Sequence, residues 1–154
     1  QVSIGQGTTA MTPIHVNMIT SAIANDGVLM KPYIVDRVQN SAGGNIKTFN
    51  AAAYGNLMTE EEAFILTGLM TDVVEEGTAS RLKGLSYTAA GKTGSAEYGM
   101  VKGDSHAWFT GFAPAEDPEI CVTIIIEGAG AGGDYAVPIA KRIFDAYFGV
   151  ETIY

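Results

Sequence analysis

The tetrapeptide Gly91-Lys92-Thr93-Gly94 sets a cation and a hydroxyl between two glycines, in a stretch that reads as extended chain. A lysine so placed attracts a carboxylate, a neighbouring threonine hydrogen-bonds it, and the bare backbone beyond Gly94 can pair with an extended peptide. Glycine weakens a strand, so its presence here points to close approach of a ligand or of another backbone. The same residues also suit a surface strand with a bulge, and a lone K-T-G arises by chance.

Other groupings carry less. Gly128, Gly130 and Gly133 satisfy G-x-G-x-x-G between a predicted strand and a predicted helix. A dinucleotide site also demands a following parallel strand with an acid for the ribose, and none fits before Tyr154. A flexible strand-to-helix loop is the better account, and Gly5 to Ala10, a relaxed match, lacks even the preceding strand. His15 and His106 are far apart and Cys121 sits in an apolar stretch, so neither a metal nor a cofactor is expected. Glu60-Glu61-Glu62 suits a helix start, where carboxylates meet the positive end of the dipole. Glu75 and Glu76 read as solvated, and no carboxylate pair stands out for glycoside chemistry.

The elements that must position these residues alternate along the chain. Thr12-Pro13 opens a helix carrying Ile14, Met18 and Ala22 on one stripe, stopped at Asn25-Asp26-Gly27. Tyr33 to Val38 and Ile46 to Phe49 read as a hairpin about a turn at Asn40 to Asn45. Thr59 and Glu62 form a capping box for a second helix bearing Leu66, Leu69, Met70 and Val73, with Gly77 as its stop. Ser86 to Ala96, Ala107 to Ala113 and Ile120 to Glu127 read as strands, with a loop at Tyr98 to Asp104 and a turn at Pro114 to Pro118. A last helix carries Ile139, Ile143 and Tyr147 on one face. Strands joined by short turns and flanked by helices predict an α+β fold, an antiparallel sheet covered by helices.

Composition narrows the classes. The chain has 154 residues, one domain's worth, with 47% hydrophobic and 17% charged residues, too apolar for a disordered segment. A net charge of −8 argues against a nucleic-acid partner. The run from Ile120 to Ile126 is far short of the roughly 18 residues of a membrane span, and no signal peptide is expected. The single cysteine leaves the redox compartment unread.

Read together, several blocks resemble the penicillin-binding transpeptidases that cross-link bacterial peptidoglycan, closest to the class B type. The blocks are Ser3-Ile-Gly-Gln-Gly7, Thr12-Pro13, Ala24-Asn-Asp-Gly27, Gly77-Thr-Ala79, Gly91-Lys-Thr-Gly-Ser95 and His106-Ala-Trp-Phe-Thr-Gly-Phe-Ala-Pro114. Their succession covers nearly the whole chain. The resemblance implies a penicillin-binding, serine β-lactamase-like fold and a serine acyltransferase in which D-alanyl-D-alanine stem peptides are substrates and β-lactams imitate them. It implies that Lys92 and Thr93 recognise the substrate carboxylate and organise the hydroxyl network. Gly94 keeps the strand open, and the Ser95 backbone N–H forms half of the oxyanion hole.

The family's nucleophile motif S-x-x-K precedes the Gly-Gln-Gly block. Ser80-Arg-Leu-Lys83 matches it literally but lies just before K-T-G, and Tyr54-Gly-Asn56, a Y-x-N variant of the second motif, is also on the wrong side. Residues 1–154 are therefore expected to be the C-terminal portion of a transpeptidase domain, silent without the N-terminal half that bears the nucleophile. The parent is expected at the extracytoplasmic face of the bacterial membrane, anchored outside this segment. A β-lactam-sensing or scaffold module of the same fold is the alternative, and a nucleotide-binding protein using the Gly128 loop ranks third.

Overall fold

The structure, a computed structural model, describes residues 10–98 and 104–150. In chain order the elements are α1 (Pro13–Ala24), β1 (Val28–Met30), β2 (Arg37–Gln39), β3 (Asn45–Thr48), β4 (Ala53–Asn56), α2 (Glu60–Glu75), a 3-10 turn (Ser80–Leu82), β5 (Ala90–Glu97), β6 (Ser105–Ala113), β7 (Ile120–Ile126) and α3 (Gly132–Phe148). The fold is α+β, as the alternation of elements predicts. The Ser3 to Gly7 block lies outside the described residues, as does the interior of the Tyr98 to Asp104 loop.

Both predicted N-caps form. The Thr12 side chain accepts from the His15 N–H with Pro13 in the first turn, and Thr59 and Glu62 cap each other reciprocally. Gly77 stands just past the end of α2, where the helix stop is expected. α2 ends at Glu75 with Glu76 as cap, and a Cβ on Gly77 would lie 2.8 Å from the Val73 carbonyl oxygen.

The main sheet is antiparallel, with strand order β5-β6-β7. Alternation along β6 sends Ala107, Phe109 and Ala113 into a core under α3, where they meet Ala136, Val137, Ala140 and Phe144. Phe112, with Ala90, packs on the opposite face against Met70 of α2, beside Ile23 and Ala24 of α1. The sheet thus lies between α3 on one side and α1 with α2 on the other. A row of side-chain hydrogen bonds, Asn17–Thr123–Thr110–Thr20, ties α1 to β6 and β7. Tyr87 donates to the fully buried Asp145, which also pairs with Lys141, and this holds α3 to the chain entering β5.

Two expectations are corrected. Of Tyr33 to Val38 only Arg37 and Val38 enter a strand, β2, which pairs with β3; Ile34 is fully exposed. β-branched and aromatic residues favour a strand only where a partner or a core face exists. Ser86 to Ala89 precede the strand that begins at Ala90. On α3, Ile139, Ile143 and Tyr147 face outward, while the smaller Ala136, Val137 and Ala140, with Phe144, are buried. Two faces of that helix carry apolar residues at helical spacing, and periodicity does not say which one the sheet covers.

Candidate functional site

The Lys92-Thr93-Gly94-Ser95 run lies in the middle of β5, an outer strand of the sheet. No strand pairs its other side among the described residues. Successive side chains of a strand point to opposite faces. Lys92 stands opposite Thr110 and borders an apolar groove of about 470 Å³ between α1 and α2, lined by Ile19, Leu66, Leu69 and Met70 among others. Its Nζ donates to the Thr93 carbonyl oxygen at 2.6 Å. Thr93 turns the other way, and its Oγ1 lies 2.5 Å from Thr78 Oγ1. Ser95 is exposed opposite Ala107.

The two glycines of the tetrapeptide have separate causes. A Cβ on Gly91 would meet the Phe109 ring at 2.6 Å, so this glycine makes room for a buried core aromatic, and no ligand is needed to explain it. Gly94 is approached by another backbone. A Cβ on Gly132, at the start of α3, would lie 2.6 Å from Gly94 O and 2.2 Å from Trp108 O. The first turn of α3 therefore rests directly on the β5–β6 backbone at the Gly94–Trp108 pair.

The remaining candidates are dispersed. Ser80 opens the 3-10 turn, and Lys83 has left helical geometry at φ −74°, ψ 142°. Lys83 Nζ donates to the Glu75 carbonyl oxygen at 2.8 Å and pairs with the Glu75 carboxylate at 3.3 Å, so the lysine serves Glu75, which is not simply solvated. Tyr54, Gly55 and Asn56 lie on β4, paired with β1 in a different sheet from Lys92. In the Gly128 loop the N–H groups of Gly128 and Gly130 donate to His106 Nδ1 and the Ser105 carbonyl oxygen. Those two donors are spent within the protein. His106 also stacks on Tyr98 at 4.2 Å, and His15 bonds Thr12. Burial pushes the Cys121 thiol up. No group of three metal-ligating side chains gathers among the described residues.

Thr78 is the site residue that sequence reasoning left without a role. It is fifteen positions from Thr93, and no local pattern links the two. Only its place in the Gly77-Thr-Ala79 block marked it.

An antiparallel sheet between helices, with a K-T-G-S run on an outer strand, defines an α+β domain. Residues 1–145 match the family model of the penicillin-binding protein transpeptidase domain, and the chain belongs to that family. It is 34% identical over 151 residues to the peptidoglycan D,D-transpeptidase PbpA of Mycolicibacterium smegmatis, covering 94% of this chain and 30% of that protein. Identity to the peptidoglycan D,D-transpeptidase MrdA of Acinetobacter baumannii is 32%, covering 94% of this chain and 23% of the other. Among solved structures, the penicillin G acyl-enzyme complex of penicillin-binding protein A from M. tuberculosis superposes with a TM-score of 0.85 at 32% identity, over 95% of this chain and 34% of that one. The chain thus spans about a third or less of the length of these proteins.

Proposed function

We propose that this chain supplies the K-T-G wall of a peptidoglycan D,D-transpeptidase, a serine acyltransferase whose nucleophile lies in a part of the protein preceding these residues. The observation that carries the reading is the outer strand β5, with Lys92, Thr93, Gly94 and Ser95 consecutive along it. An edge strand offers backbone donors and acceptors to an extended peptide, and Lys92 and Thr93 add a cation and a hydroxyl for its terminal carboxylate. The serine of the preceding part attacks the penultimate D-alanyl carbonyl. The Ser95 N–H stabilises the oxyanion, D-alanine leaves, and an amine of a neighbouring stem takes the acyl group. β-Lactams enter the same site as imitations of D-alanyl-D-alanine. In support, the relative from M. tuberculosis forms acyl-enzymes with penicillin G and with imipenem.

The preceding half of the domain packs against the apolar groove beside Lys92 and places its serine in front of β5. No helix among the described residues is long and apolar enough to cross a membrane. In this reading the parent is anchored through another part of the protein, and its catalytic domain works outside the cytoplasm.

Fluorescent penicillin tests this reading. The 154-residue chain alone should take up no label, and the complete protein should label stoichiometrically at a serine outside these residues. Labelling at Ser80 would overturn the assignment. A complete protein that labels yet releases no D-alanine from a pentapeptide substrate is a sensor or scaffold instead.

A further inference from the structure

The geometry points to Thr78 as a positioning residue that sets the direction of the Thr93 hydroxyl. This inference rests on the reading of Thr93 as a ligand of the substrate carboxylate. Thr93 Oγ1 has a single proton and two acceptor sites, and a carboxylate can only accept. To hold the substrate, Thr93 must therefore donate outward. The contact between Thr78 Oγ1 and Thr93 Oγ1 allows either hydroxyl to donate. Donation from Thr78 fills an acceptor site on Thr93 and leaves its proton free for the carboxylate; the reverse sense consumes that proton.

The surroundings of Thr78 hold it in place for this. Ala79, next in the chain, is fully buried, and its N–H donates to the Val73 carbonyl oxygen at 3.1 Å. On the other side the Thr78 carbonyl oxygen lies 2.6 Å from where a Cβ on Gly133 would stand, so the α3 backbone closes over it. Gly132, one residue earlier, rests on Gly94. The same turn of α3 therefore buttresses both the strand and the residue that orients its hydroxyl. A backbone fixed from two sides meets the requirement that site groups be held by packing before the ligand arrives.

The test is a double-mutant cycle in the complete protein, read as the second-order rate constant of acylation by a fluorescent penicillin. Thr78→Val should lower that constant roughly tenfold, the scale of one hydrogen bond in a charged site. Thr78→Ser should restore it to within about twofold, and Thr78→Val should have no further effect in a Thr93→Val background. Equal losses from Thr78→Val in both backgrounds mean that Thr78 acts only through the fold, and overturn the proposal. A normal rate for Thr78→Val, with a depressed one for Thr93→Val, overturns it while leaving the reading of Thr93 intact. A normal rate for Thr93→Val removes that reading and this inference together. If Thr78→Val does not fold, Thr78→Ala carries the same cycle, since it deletes the hydroxyl without adding a methyl group.

Discussion

At the residue scale, Tyr87 and Asp145 hold together what β5 needs behind it. Asp145 is fully buried, with the Tyr87 hydroxyl on one oxygen and Lys141 on the other. Burial first, and then the hydrogen bond to Asp145, push the Tyr87 hydroxyl well above its ordinary value of about 10. Above that ordinary value the unfolded chain loses the tyrosine proton while the folded chain keeps it. The unfolded state then binds fewer protons, so stability falls as pH rises past about 10. Tyr87→Phe should cost about 2 kcal/mol at neutral pH, since a hydrogen bond to a buried charge is lost. It should also flatten the alkaline decline. Urea unfolding at a series of pH values from neutral to above 10 checks both, and an unchanged alkaline slope in the variant would discard the assignment.

At the element scale, the seating of α3 on β5 depends on a side chain that is absent. The Cβ of an alanine at 132 would meet two carbonyl oxygens of the sheet, and backbone atoms cannot swing aside as a flexible side chain can. Gly132→Ala should therefore lift the first turn of α3 from Gly94 and cost about 3 kcal/mol, the upper part of the range for overpacking. In the complete protein it should slow penicillin acylation as well, because Gly133 and Thr78 move with the same turn. Thermal denaturation and the acylation rate, measured on one preparation, separate this from a loss of stability alone.

At the scale of the whole molecule, the apolar surface beside Lys92 is left open among the described residues. Met11, Ile19 and Leu69 are 45%, 38% and 57% exposed along the same groove. β7, the other outer strand, has no strand on its far side among the described residues. Open apolar surface and free strand edges both favour association between copies. The isolated chain should therefore elute from size exclusion as dimers or larger species at micromolar concentration. Co-expression with the preceding half of the domain should convert it to a single defined complex. A clean monomer that binds no hydrophobic dye would count against the groove as a packing surface.

The elements that were legible in the sequence are those whose cause is local. Thr12-Pro13 and Thr59 with Glu62 announce helix starts because a cap is satisfied within four residues. The run from Ile120 to Ile126 announces a strand because its β-branched residues have few other uses. Motif order likewise placed the chain in its family, from types and spacing alone. Tertiary structure decided everything that needs two distant segments. It separated Gly91, which admits the Phe109 ring, from Gly94, which receives the backbone of α3. It set the Lys83 side chain on Glu75. It turned the Ala136 and Phe144 face of α3 inward, and set Thr78 against Thr93. Contacts between segments far apart in sequence follow from which surfaces exclude water together. That choice depends on the whole packed chain and leaves no trace in any short window of residues.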